Sequence, residues 1–319
     1  MILSVTLNVA IDRAVVVPNF ALGRRHRSVE SRTAAGGKGV NVARALSLLD
    51  RPVIATGFVG GLNGEQVIQQ LQREAILTDF TRVAEETRIN LAVVEPSTGE
   101  QTEINERGPA VSEAEAEAFV ERLDYLARGA AICVLAGSLP PGIEPDFYAR
   151  LIEILKGHGV TVVLDTEGQA MSAGIKAGPS MITPNRVEAE ELIGREVESR
   201  TELAEALTEL TGLGSAEAAV TLPEGCLAIV GEGADRRVLE ATIDPLEPIS
   251  RGGSGDAFVA GYVAAIYDGK GREESLAYGV ACGAESTQHL GAGWVDRLNA
   301  ERLLDEVRVQ QVDVSTPVD

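Results

Sequence analysis

The sequence predicts a three-layer α/β fold, a mostly parallel central sheet with helices on both faces, and three observations predict it. Short apolar runs of strand character alternate with helix-like runs through most of the chain. The strand-like runs end in glycine or polar residues, where such sheets place their ligands. Two glycine-rich segments, AAGGKGVNVARAL and ISRGGSGDAFVAG, lie more than two hundred residues apart, and each leads into a helix. A chain of 319 residues can bury one large core, so residues 1–319 are expected to form a single domain in which those segments converge.

Taken in order, MILSVTLNVAID alternates as a strand does and lacks the basic leader and cleavage site of a signal peptide. RPVIATGFVG is a strand running into glycine, and EQVIQQLQREAI is the helix after it. AAICVLAGSLPPG is a strand with a terminal turn, followed by the helix DFYARLIEILKGHG, which glycine closes. VTVVLDTEG and PSMITPN are further short strands, and VEAEELIGREV is an acidic helix. Two insertions, residues 10–34 and 87–108, break this rhythm with RAVVVPNF, RHRSVESRT, INLAVVEP and QTEINE. The second pair is joined by Ser97-Thr98-Gly99, a hairpin signal, and together the four segments predict a small antiparallel sheet over the ligand site. The tail after about Val309 is expected to be loosely held.

Composition narrows the partners. A net charge of −20 disfavours nucleic acid, whose phosphates require a basic surface, yet leaves room for a small phosphorylated metabolite. No apolar run is long enough for a membrane span, which favours a cytoplasmic protein. Cys133, Cys226 and Cys282 are scattered and lack zinc-ligand spacing with His26, His158 and His289, so they are expected in the core. Lysine is scarce, four against 24 arginines, which singles out Lys38 inside a glycine loop.

The stretch around Gly252, Gly253 and Gly255 allows a tight turn that aims successive N–H groups and a helix N-terminus at one point. Asp256 then stands where it could take a proton from an attacking hydroxyl, although a glycine turn with an aspartate cap would read similarly. GGKGVNVAR is not a Walker A loop, because no serine or threonine follows Lys38. GFVGGLNG lacks the G-x-G-x-x-G spacing of a dinucleotide site.

With these motifs go TLNVAID, TRIN, TEINERGP, AGSLPPG, VLDTEGQA and TPNRVEAEEL, and in this order the chain resembles the PfkB (ribokinase-like) carbohydrate kinases. Within them it is similar to the phosphosugar kinases, most of all the 1-phosphofructokinase group. The resemblance implies ATP- and Mg2+-dependent phosphorylation of a ketohexose monophosphate, first of all fructose 1-phosphate to fructose 1,6-bisphosphate. Tagatose 6-phosphate and fructose 6-phosphate are alternatives of the same class, and a non-catalytic sugar-phosphate sensor is one of another class. It also implies a homodimer formed through the small sheet acting as a lid.

Carried over by position, the resemblance makes Asp256 the base and Gly253, Ser254 and Gly255 the anion hole. Asp12, Gly36, Gly37 and Asn41 would hold sugar hydroxyls; Arg88, with Lys38, Ser138 and Arg27, would meet the sugar's phosphate. Asn185 and Glu188, an N-x-x-E pair, would orient magnesium-bound water. Asn185, Thr221, Gly225 and Gly283, together with Gly253 and Gly255, would border the nucleotide. Three departures stand out: Thr183 where relatives carry lysine, Arg251 before the anion hole, and a loop before Pro223 that is one glycine short.

Overall fold

The first strand already shows the layering. Every residue of β1 (Ile2–Thr6) is buried, with Ile2 packed into one core and Leu3 and Val5 into the other. A strand can be apolar on both faces only between two layers of helices. The computed structural model describes residues 1–250 and 252–312. After β1 come β2 (Ala10–Val16), β3 (Glu30–Gly36), α1 (Lys38–Leu48), β4 (Val53–Gly60), α2 (Gly61–Arg73), β5 (Leu77–Thr78), β6 (Thr81–Val83), β7 (Arg88–Val94) and β8 (Gln101–Asn105). The middle of the chain holds α3 (Glu113–Ala127), β9 (Ile132–Ala136), α4 (Phe147–Gly157), β10 (Thr161–Asp165), α5 (Gly168–Gly174), β11 (Met181–Ile182), α6 (Arg186–Ile193) and α7 (Arg200–Gly212). It ends with β12 (Glu217–Leu222), β13 (Gly225–Val230), β14 (Arg237–Thr242), α8 (Ser254–Tyr267), α9 (Arg272–Ser286), α10 (Arg297–Leu304) and β15 (Arg308–Val312).

The large sheet runs β15-β14-β13-β12-β11-β10-β9-β1-β4-β5, with β6 also paired to β4. Its strands are parallel from β5 to β12 and antiparallel from β12 to β15. Helices α1, α2, α8, α9 and α10 bury one set of apolar side chains against it, and α3 to α7 bury the other. Cys133, Cys226 and Cys282 are free thiols in these cores, as their spacing suggested. The helix expected over VEAEELIGREV stops at Ile193, because Gly194 takes a left-handed φ of 75° and caps it.

The expectation of a loose tail after about Val309 is corrected for the described residues. Strand β15 pairs with β14 from Arg308 to Val312, and Val309 and Val312 pack against opposite cores. The missed signal was an odd spacing of three, which puts the two valines on opposite faces of a strand. Residues 313–319 lie outside the described residues, as does Arg251.

A second sheet of four strands, β3-β2-β7-β8, is formed by the two inserted segments. Two antiparallel pairs, β2 with β3 and β7 with β8, are joined by parallel pairing of β2 with β7. Strand β3 starts at Glu30, later than RHRSVESRT suggested; upstream, His26 bonds the backbone of Ala21 instead of a ladder. The turn after β7 is held by Glu95, whose carboxylate accepts from the Ser97 hydroxyl and from the amides of Ser97 and Thr98. Parallel register sets Asp12 opposite Asn90, and this pairing brings the small sheet's polar residues to the ends of β1, β9 and β10.

Candidate active site

A cavity of about 280 Å³ opens where the two sheets meet. Thr6, Asn8, Gly137, Ser138, Thr166 and Glu167 line it from the C-terminal ends of β1, β9 and β10. Gly37 and Lys38 enter from the start of α1, and Arg88, Asn90 and Asn105 from β7 and β8. Arg88 is held by carbonyls on both sides, its Nε donating to Asn8 O at 3.2 Å and its Nη1 to Glu106 O at 3.0 Å. Burial lowers its pKa, and the nearby Asp12 and Glu106 carboxylates oppose that. Asn90 Nδ2 donates to Asp12 Oδ1 at 2.9 Å, while Asn8 Nδ2 donates to Arg107 O at 3.0 Å and to Ser138 Oγ at 3.2 Å. Burial raises the pKa of Asp12 against the Asn90 bond. A Cβ on Gly36 would fall 2.0 Å from Asp12 Oδ2, so only glycine lets that carboxylate stand there.

Three side-chain oxygens of the cavity's lining residues are buried and have no hydrogen-bond partner among the described residues. They are Thr6 Oγ1, Asn8 Oδ1 and Asn90 Oδ1. Leaving a buried acceptor unpaired costs about 1–3 kcal/mol; Thr6 Oγ1 lies against Gly39 and Asn8 Oδ1 against Gly108, so backbone closes both off from the cavity. Lys38 supplies positive charge there. Burial alone would lower its pKa, but the carboxylates of Asp165 at 3.2 Å and Glu188 at 3.8 Å, with Asp256, hold it above its usual value.

Gly253, at a left-handed φ of 83°, caps α8, and the helix begins at Ser254. A Cβ on Gly253 would lie 2.5 Å from Ala292 Cβ, whereas one on Gly255 would meet no protein atom within 4 Å. Gly255 thus borders open space at a helix N-terminus, an end that favours an anion. Asp256 lies in that first turn but makes no capping bond. Its buried carboxylate, 6% exposed, accepts through Oδ2 from Asn41 Nδ2 at 2.8 Å, which rules out the aspartate-cap interpretation. Burial, then the charge of Asp165, push its pKa up to about 7, against the Asn41 bond and Lys38.

On the far side of this turn a cavity of about 590 Å³ is lined by Asn185, Arg186, Thr221, Gly225, Ser254, Gly255, Phe258, Gly283 and apolar neighbours. Gly225 has a φ of 147°, and a Cβ there would strike Ala241 O at 2.0 Å. The short loop before it is a two-residue turn, Pro223-Glu224, with Leu222 paired to Gly225. Asn185 and Glu188 form a reciprocal capping box at the start of α6. Thr183 is buried with its Oγ1 unpartnered and is not among the residues lining either cavity. Arg27 is exposed between β2 and β3, outside the cavity lining, because the ladder begins only at Glu30. Asn8, Asn90, Asn105 and Asp165 were not singled out from the sequence. The period-two spacing of Arg88 with Asn90, and the position of Asp165 at a strand's C-terminal end, were the usable signals.

The family profile described as pfkB family carbohydrate kinase matches residues 4–296. Among similar solved structures, a candidate phosphofructokinase from Staphylococcus aureus is 30% identical, covers 98% of this chain and 99% of its own, and has a TM-score of 0.83. Phosphofructokinase-2 from Escherichia coli, solved in complex with fructose-6-phosphate, is 27% identical over 95% and 98%, with a TM-score of 0.87. A candidate 1-phosphofructokinase from Thermotoga maritima is 25% identical over 98% and 100%, with a TM-score of 0.83. The two-sheet architecture, the matched span and these neighbours agree that the chain is a sugar phosphotransferase, and it belongs to the pfkB family of carbohydrate kinases.

Proposed function

We propose that the protein transfers the γ-phosphoryl group of ATP to the 6-hydroxyl of fructose 1-phosphate, giving fructose 1,6-bisphosphate and ADP. The observation that carries this reading is the convergence of Arg88 and Lys38 with Asn90, Asn105 and Ser138 around one cavity, which suits a polyhydroxylated anion. Arg88, already braced by two carbonyls, grips the existing phosphate, with Lys38 and Ser138 beside it. Asp12, Asn41 and the backbone at Gly36 and Gly37 hold hydroxyls. The larger cavity takes the nucleotide, with Thr221, Gly225 and Gly283 along its wall. Asp256 accepts the proton of the attacking hydroxyl as the new O–P bond forms and the bond to ADP breaks. The amides of Gly253, Ser254 and Gly255 stabilise the charge on the moving group.

Among the described residues no group of three or more His, Cys, Asp or Glu side chains is arranged to hold a metal directly. This donor set fits Mg2+ bound chiefly by phosphates and water, which keeps most of its hydration shell. Glu188, half-buried and 3.8 Å from Lys38, and Asn185 would orient that water. When bound, Mg2+ neutralises phosphate charge during transfer. No helix among the described residues is long and apolar enough to cross a membrane, and the reading places the enzyme with ATP in the cytoplasm. It also takes the small sheet as a lid through which two copies pair.

The test is ADP release with Mg-ATP against fructose 1-phosphate, tagatose 6-phosphate, fructose 6-phosphate and fructose. Preference for the 1-phosphate, lost on Arg88→Ala, supports the reading. Preference for a 6-phosphate moves the acceptor to the sugar seen with the Escherichia coli enzyme or its epimer. Tight phosphosugar binding without ADP release would replace the kinase with a sensor.

A further inference from the structure

Arg44 is only 2% exposed, and its guanidinium is shared among four parts of the molecule. Nε donates to Glu74 Oε2 on α2 at 2.7 Å, and Nη2 to Ala35 O on β3 at 2.9 Å. Nη1 reaches both Asn41 Oδ1 and Ala292 O at 3.3 Å. The same carboxylate of Glu74 takes Gln70 Nε2 at 2.9 Å, and Gln70 Oε1 accepts from Ala35 N at 2.8 Å, closing a ring around the root of the small sheet. The segment carrying Ala292 also abuts both halves of the site. A Cβ on Gly293 would lie 2.8 Å from Asn41 Cα, and Ala292 bounds Gly253.

An amide has an acceptor end and a donor end. Because Arg44 occupies Asn41 Oδ1, the N–H end is the one directed at Asp256 Oδ2. Without the guanidinium the amide is free to turn its oxygen toward a carboxylate. We propose that Arg44 is a positioning residue for proton transfer, fixing the Asn41 amide donor on Asp256 and tying that pair to the root of the small sheet. The proposal rests on the kinase reading for its consequence in turnover, but not for the bond geometry.

The groups facing Asp256 are Asn41 and Lys38 from α1, Asp165 from β10 and Asp12 from β2, and a lysine at position 44 leaves all of them in place. The experiment compares native protein with Arg44→Lys, Glu74→Gln, Asn41→Ala and the double variant Arg44→Lys/Asn41→Ala. The Asp256 carboxyl is followed by 13C NMR titration, its signal assigned by its loss in Asp256→Asn, and kcat is followed against pH. Losing an oriented donor to the ionised form should raise the Asp256 midpoint by roughly one unit in Arg44→Lys and less in Glu74→Gln. The acid limb of kcat should move up with it, giving about a fivefold loss at pH 7 and about tenfold well below it, with KM for ATP within about twofold of native. In the double variant the arginine change should add little to Asn41→Ala. Folded variants with a native midpoint and pH profile, or an Arg44 effect undiminished without Asn41, would overturn the proposal. Should Arg44→Lys not fold, an unmoved midpoint in Glu74→Gln overturns it equally. If the native protein shows no phosphoryl transfer, the functional reading fails while the carboxyl titration still decides the role of Arg44.

Discussion

The carboxylate of Asp256 is buried, and its pKa near 7 means that the folded protein resists its ionisation. An acid whose folded pKa exceeds its usual 3.8 weakens the fold progressively as pH rises from about 4 to about 7, and the penalty is then constant. Asp256→Asn removes it. The variant should gain up to a few kcal/mol in denaturant unfolding at pH 8, shrinking as pH falls below 7 and vanishing below about 4. Its turnover should fall by roughly 10² to 10⁴, the range spanned by a lost general base. An equal loss of stability and activity would show that the carboxylate serves packing instead. At this scale much of the candidate site was legible: Lys38, Arg88 and Ser138, which line one cavity, and Asn41 and Asp256, which bond each other, all stand in motifs singled out from the sequence. Asp165 and Asn105 were not, because a lone aspartate in VLDTE and an asparagine in TEIN acquire meaning only when distant strands set them beside Lys38 or in the cavity wall.

Among the elements, α8 depends most on one backbone conformation. Gly253 combines a left-handed φ with a neighbour, Ala292, that leaves no room for a methyl group. Gly253→Ala should cost roughly 1–3 kcal/mol of stability from backbone strain. It should also lower kcat more than it raises KM for the sugar if, as proposed, the turn faces the transferring group; steady-state kinetics beside thermal melts check both. Gly255, with open space before it, is expected to tolerate alanine in stability but not in turnover. The glycine turns could be read from sequence because positive φ and close approach leave a compositional mark. Element limits could not: Glu30 and Ile193 mark boundaries set by ladder partners and by Gly194, and β15 is short enough to pass for a tail.

For the molecule as a whole, the two-layered core followed from alternation alone, while the order of its strands needed the structure. The small sheet keeps apolar side chains in solvent, Ile104 at 57% exposed on a strand with every residue exposed, and Leu22 at 93% in the connection between β2 and β3. Pairing of two copies through these strands would cover them. Sedimentation should therefore give a dimer that Ile104→Lys shifts toward monomer, and a native monomer would remove the lid-to-lid arrangement.

The bond between Asn41 and Asp256 spans 215 positions of the chain. At a ribosome adding about 5–20 residues per second, Asn41 waits roughly 10 to 40 seconds for its carboxylate to be made. Every residue lining the cavity around Arg88 is made in or before that interval, so the wall of the anion site leaves the ribosome complete while the buried carboxylate beside it is still to come.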